Sequence, residues 1–281
     1  MSANDLTTLA SVKAWLGITD TGSDALLKQL IGRASGLALG YLGRASLGAY
    51  TFTENYDGRA GCRLMLRNRP VIAINSFQVG NVTIPASTNP PYGGGYYLDP
   101  WSGLPPGRLQ GVVVQGYSLL TVKSGIKVSY VSGYVQVNEV WTIPATPYQI
   151  TPLVPYGVFA ADYSVNFVGG APLTPIASGT PNAGQYVPPT AMGSYPNSPV
   201  VYYLFAAADA GKQVQISYSY IPSQVEGAVC EWVGERYRYK ERIGLKSQSQ
   251  GGNEATTFDI SGVPQIVKAA LDPYKQLVPV L

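Results

Sequence analysis

The 281 residues include no histidine. That absence removes imidazole acid–base catalysis, Ser-His-Asp-type triads and histidine metal ligands. Charge is scarce too: Asp, Glu, Lys and Arg make up 12% of the chain, against about 25% in an ordinary globular protein. Much of the surface is therefore neutral polar, or covered. The net charge of +3 is too small to argue for nucleic-acid binding by itself. Two cysteines, Cys62 and Cys230, lie far apart with no CxxC spacing; this excludes a disulfide framework and predicts reduced, buried thiols. No stretch reaches the ~20 apolar residues of a membrane span. The opening MSANDLTTLASVKAWLG lacks the basic region and apolar run of a signal peptide, so synthesis and assembly in a cytoplasm are expected, with no membrane partner.

What is present is a large apolar fraction, 46%, and an aromatic set dominated by 21 Tyr against 6 Phe. Tyrosine joins an apolar body to a hydrogen-bonding tip, which suits strand faces and partly wet interfaces. Two N-terminal helices are predicted. Thr7 or Thr8 caps the first, with Leu9, Val12 and Leu16 on one face and Gly17 at its end. Ser23 caps the second, Asp24 favours its dipole, and Leu26, Leu27, Leu30, Ile31, Ala34, Leu37, Ala38 and Tyr41 recur at helical spacing up to Gly43. From Tyr50 the period becomes two. YTFTENYDGRAGCRLML reads as a hairpin turning near Asp57-Gly58, VIAINSFQVGNVTI as a strand with a tight Gly80-Asn81 turn, and 86–111 as an extended loop before the strands GVVVQ and GIKVSYVSG. Helices return after Pro222, with Val225, Val229, Trp232 and Val233 in one stripe. A final helix near Pro264 carries Ile266, Val267, Ala270, Leu271 and Tyr274, and Pro273 kinks or ends it.

The middle of the chain differs in kind. Residues 135–221 hold one basic residue, Lys212, three acidic ones, Glu139, Asp162 and Asp209, and 11 of the 22 prolines. Disordered linkers are poor in aromatic and β-branched residues, whereas this stretch contains VWTI, YGVFA, YSVNFVG, QYVP, VVYYLF and VQISYSY. Its last strand, GKQVQISYSYIP, resembles the earlier GIKVSYVSGYVQV. The expected architecture is α+β: a small helical bundle packed on an antiparallel sheet, formed by 1–134 plus 222–281. An all-β sandwich or barrel-like domain, 135–221, is inserted at the junction of the two alike strands.

Three groups are candidate sites. The run Arg236, Arg238, Lys240, Arg242 and Lys246 reads either as a salt-bridged helix face, with Glu235 three residues before Arg238, or as a contact with a neighbouring subunit, an acidic partner or DNA. Arg59, Arg63, Arg67 and Arg69 flank the strand CRLML, where charge protects an edge or makes an intersubunit contact. The 244–262 segment has no periodicity and reads as a mobile loop; Phe258 and Ile260 would be its apolar anchors on assembly. Enzyme readings find little. Asp162 and Asp209 as paired carboxylates, or Asp99 near Trp101, come without a base, metal set or phosphate loop. GGGYY at 93–97 lacks the strand–GxGxxG–helix context. No catalytic residue, metal or cofactor is assigned.

With 135–221 set aside, the order DLTTLASVKAWLGI, DALLKQLIGRASGLALGYLGR, NRPVIAINSFQV, YYLD, GIKVSYVSGY, IPSQVEGAVCEWVGERYRYKERIG and VPQIVKAALDPYKQL resembles tailed-phage head–tail connector (adaptor) proteins. The resemblance rests on order and spacing across most of 5–134 and 222–277. It implies a non-enzymatic virion protein at the neck. Copies of it would form a ring, twelve-fold by family analogy, beneath the portal protein, close the DNA-filled head and dock the tail or neck protein, with non-specific contact to DNA in the channel. Segment 135–221 departs from the compact family pattern and looks like β modules of various phage structural proteins. A second reading makes that β region a module for a glycan or cell-surface ligand, with the helices attaching it to the virion.

Overall fold

Helix α1 (Leu9–Leu16) begins where expected: the Thr8 hydroxyl accepts from the Ser11 amide at 2.9 Å, and Gly17 closes it at φ 70°. Helix α2 (Asp24–Leu42) ends on Gly43 at φ 67°. Ser23 precedes it without a side-chain cap; its hydroxyl instead meets that of Tyr237, 2.7 Å away on helix α3 (Ser223–Tyr239). Lys13 reaches Asp24 at 2.8 Å and ties the first two helices together. A short helix α4 (Gln265–Leu271) runs into a 3-10 turn containing Pro273. These are the helices of a computed structural model that describes residues 4–58, 61–99, 111–119, 121–190, 201–239, 247–249, 255–257 and 263–276.

The four helices share one core. Val12, Leu27, Ile31, Ala34, Ala38, Leu42, Val225, Val229, Trp232, Val233, Val267 and Leu271 are buried in it. Each large aliphatic side chain removed from water there stabilises the fold by about 1.5–3 kcal/mol. The periodic stripe is broader than the buried one: Leu26, Leu37 and Ile266 point to solvent.

Seven strands follow the first two helices: β1 (Tyr50–Tyr56), β2 (Arg63–Met65), β3 (Val71–Val79), β4 (Val82–Thr83), β5 (Gly95–Asp99), β6 (Gly111–Gln115) and β7 (Ile126–Ser132). They form two antiparallel sheets, ordered β1-β7-β3-β4 and β2-β6-β5. Phe77, Ile84, Val112, Val114, Ile126, Val128 and Tyr130 fill the core between them. The predicted Asp57-Gly58 hairpin is not formed. β1 pairs with β7, while Asp57 accepts from the Ser124 amide at 2.7 Å and Gly58 donates to the Val122 carbonyl. The Asp-Gly pair is used to reach a distant loop rather than to turn. Segment 86–111, read as loop, contains β5. The Gly80-Asn81 turn is present between β3 and β4, with Gly80 at φ 58°.

The helices do not lie on the β1-β7-β3-β4 sheet as expected. One face of that sheet is taken by the second sheet. The other carries exposed Thr51, Thr53, Asn55, Ala73 and Asn75, and a polar face offers helices no apolar surface to bury.

Strands β8 (Val135–Thr142), β9 (Gln149–Ile150), β10 (Gly157–Phe167), β11 (Thr174–Pro175), β12 (Gln185–Val187), β13 (Tyr203–Phe205) and β14 (Gln213–Pro222) build two further sheets, β10-β14-β8 and β11-β12-β13-β9. Their core holds Ile143, Phe159, Val165, Tyr186, Tyr203, Phe205, Val214, Ile216 and Tyr218. β14 continues into α3 without an intervening loop. At that crossing the Tyr220 amide donates to the Tyr134 carbonyl at 2.9 Å, and both rings lie in the helical core. Near the C-terminus, β15 (Ser247–Ser249) pairs antiparallel with β16 (Ala255–Thr257), so the predicted loop contains a two-stranded ribbon. Among the described residues no helix is long and apolar enough to cross a membrane. Cys230 is buried as expected; Cys62, in the bend that precedes β2, is exposed.

Candidate assembly interface

The basic end of α3 divides into two kinds of arginine. Arg236 lies over the Trp232 ring, 4.8 Å from its centroid, with a buried Nε that has no hydrogen-bond partner among the described residues. A guanidinium so placed is held by stacking on the indole face. Arg238 is exposed and, among the described residues, has no ion-pair partner; the Glu235–Arg238 bridge allowed by helical spacing is absent. Lys240, Arg242, Lys246, Phe258 and Ile260 lie outside the described residues, as does Arg59.

Arg63 belongs to the other cluster, on β2. It reaches across β6 to Asp99 of β5, with Nη2 at 3.3 Å from the carboxylate and donating to the backbone carbonyl at 3.2 Å. Both side chains are half exposed, and such a pair contributes about 0–1 kcal/mol. Arg67 covers the Tyr56 ring at 5.4 Å. Arg44, inconspicuous in the sequence, is buried: its Nε donates to the Tyr274 carbonyl at 2.7 Å and its guanidinium faces Tyr134. Burial lowers its pKa below the usual arginine value.

The structure adds a groove that the sequence reading missed. Trp15 of α1, Glu231, Glu235 and Arg238 of α3, and Ile266 of α4 line a cavity of about 400 Å³. It continues along α3 and α4 past Gln224, Gly227, Ala228 and Ala270 as a second space of about 290 Å³. Trp15 is 58% exposed and Ile266 71% exposed, high values for side chains so large and apolar. One signal was available: Trp15 falls outside the stripe Leu9, Val12, Leu16, so its helix has no buried place for it. Ile266 gave none, since its helical spacing matched the core.

The acidic residues considered for catalysis are structural. Asp162 accepts from the hydroxyls of Tyr186 at 2.7 Å and Tyr203 at 3.0 Å. Burial holds its carboxyl above the usual range, against the opposing pull of those two bonds. Asp209, fully buried, accepts from the Gly184 amide and from Lys212, each at 2.7 Å. Glu139 is bonded by Trp141 and Tyr218, and Glu54 by Tyr56 and Tyr130. Burial, then the Glu54 contact, pushes the Tyr130 phenol up to about 12. Burial pushes the Cys230 thiol up to about 11, which keeps it protonated and unreactive at neutral pH. Among the described residues no cluster of three Asp, Glu, Cys or His side chains could hold a metal.

The chain is thus α+β, with a solvent-facing groove lined by apolar and charged side chains and with Asp162 and Asp209 engaged in hydrogen bonds of the fold. Residues 6–60, which span α1, α2 and β1, match the family described as phage gp6-like head-tail connector protein. This is the family that the order of the sequence segments resembles, matched here over the N-terminal segment. No curated protein matches the chain. A solved structure described as "Neck of empty GTA particle computed with C6 symmetry" aligns over 100% of this chain and 95% of that one, at 10% identity and a TM-score of 0.39, too slight a likeness to carry an argument.

Proposed function

We propose that this is a structural virion protein of a tailed phage, located at the head–tail interface, where copies form a ring beneath the portal, close the filled head and dock the tail. The observation that carries this reading is the connector-family match over 6–60. In support, the matched helices are not a free module, since they share one core with α3 and α4. Deleting the gene should yield DNA-filled heads and separate tails that do not join; normal tailed, infectious particles without the protein would refute the reading. Twelve-fold symmetry, matching the portal, is the expected copy number, to be counted in cryo-microscopy of the neck. Contact with DNA in the channel is expected to be non-specific.

Two finer parts belong to the same proposal. Residues 135–221 are an inserted β-domain, a reading supported by a separate apolar core and by chain entry and exit side by side at Tyr134 and Tyr220. The stretch from Arg236 to Gly262 is a contact face toward the portal or the next subunit, supported by the exposed Arg238, which has no ion-pair partner among the described residues. Arg238→Glu with Arg242→Glu should leave thermal unfolding of the free protein nearly unchanged while lowering attachment to heads, with a salt-dependent defect. Unimpaired attachment at every salt concentration would show that the run is only a solvated helix end.

A further inference from the structure

The exposed face of α2 is an unpartnered surface with a definite pattern. Leu26, Arg33 and Leu37 fall within about 20° of one line down the helix at 100° per residue. All three are exposed. To one side of that row Gly36 and Gly40 carry no side chain, so the surface is flat there. The face thus presents apolar, cationic and apolar groups in order.

The groove of α1, α3 and α4 presents the opposite pattern. Trp15 and Ile266 line it as exposed apolar groups, together with Glu231 and Glu235 on successive turns of α3 and Arg238 near the C-terminal end of that helix. α2 supplies no residue to this groove, so the two surfaces are distinct. Among the described residues, Lys28, Arg33, Glu231 and Glu235 form no ion pair. Arg33 on one face and Glu231 and Glu235 on another are thus left, among the described residues, as unused complementary charges.

We propose that the α2 face of one copy docks into the α1–α3–α4 groove of the next copy, with Arg33 directed at Glu231 and Glu235 and its two leucines set against Trp15 and Ile266. Contact between two different faces of identical chains is heterologous, and it closes into a ring when the rotation between copies divides a full turn. The charge match is what commits the groove to a second copy: its occupant must bring a cation flanked by apolar groups, and α2 does. The inference deepens the ring reading above and rests on it.

The test is sedimentation and electron microscopy of the full-length chain over a range of concentrations. Arg33→Glu should weaken self-association about tenfold or more, as should Glu231→Arg with Glu235→Arg, and the combination of all three should recover most of the loss. Leu37→Gln should weaken it without changing its salt dependence. All four positions are solvent-exposed, so circular dichroism of the variants should match the parent. Rings that form equally well in every variant overturn the α2–groove contact and leave the connector reading intact. A parent chain that remains monomeric at all concentrations also overturns the contact, while the gene-deletion phenotype independently decides the connector reading.

Discussion

Glu54, Glu139 and Asp162 solve the same problem in similar ways: each carboxylate is held by two aromatic donors, one from its own strand and one from the adjacent strand for Glu54 and Glu139, and both from the other sheet for Asp162. A buried acceptor left without its donor costs about 1–3 kcal/mol. Tyr56, Tyr130, Tyr186, Tyr203 and Tyr218 serve in this way, a part of the tyrosine excess that phenylalanine could not replace, since it fills the same core but cannot serve an anion. Tyr203→Phe should therefore destabilise the β region by about 1–3 kcal/mol in denaturant unfolding, although it removes only an oxygen. The pH dependence has a definite sign. Burial raises the folded pKa of Asp162 above its ordinary 3.8, so the folded chain keeps a proton that the unfolded chain has released. The stability contributed by this group is complete below the unfolded pKa and falls as pH rises through the folded one. Asp162→Asn should flatten that part of the stability-against-pH curve; an unchanged slope would mean another group sets it.

At the scale of elements, α2 is less stable than its length allows. An added Cβ at Gly36 or Gly40 would meet nothing within 4 Å, and a glycine inside an exposed helix costs about 1 kcal/mol relative to alanine. Gly36→Ala and Gly40→Ala should each raise the stability of the free chain by about that amount in thermal or urea unfolding. Helices were legible in the sequence because their signals are local: Thr8, Gly17 and Gly43 do at the termini what their residue types predict. Strand pairing was less legible, because partners are chosen at a distance. Asp57-Gly58 is a turn signal, yet β1 finds its neighbour 70 residues away in β7, with Tyr50 opposite Ser132 and Tyr56 opposite Ile126. β5 was concealed by its glycines. Gly95, at φ 122°, lies so close to the Pro85 carbonyl that a Cβ there would be 2.5 Å from the oxygen; a residue needed for close approach looked like loop composition. The groove was invisible for a related reason, since it is assembled from three helices far apart in the chain, and only Trp15 stood out.

At the scale of the molecule, the crossing at Tyr134 and Tyr220 defines how the middle of the chain can be removed. Val135 and Ser219 are paired across β8 and β14, so a two- or three-residue turn can join them. Replacing 136–218 by Gly-Asn-Gly should leave the helical signal in circular dichroism, with stability lowered because Val154 and Ala160 no longer pack on the helical core. Removing 135–221 in full should be markedly worse, because Tyr220 and Ile221 are part of that core. Equal loss of helix in both deletions would refute the autonomy of the middle region. The fall in charge and the two alike strands suggest the proposed boundary in the sequence; they carry no sign that Tyr220 and Ile221 pack in the helical core.

The uninterrupted passage from β14 into α3 has a mechanical consequence. Pro222 ends the strand and Ser223 begins the helix, so no slack chain separates the β region from the bundle. β14 is the central strand of its sheet, flanked by β8 and β10. Tension along it loads the hydrogen bonds to both neighbours together, in shear, rather than one after another as in unzipping. A pull or twist on the β region is therefore passed to α3 as rigid displacement. In the ring inferred above, α3 carries the glutamates that would receive the neighbouring copy, so strain at the far end of one subunit would reach the joint with the next through a single strut.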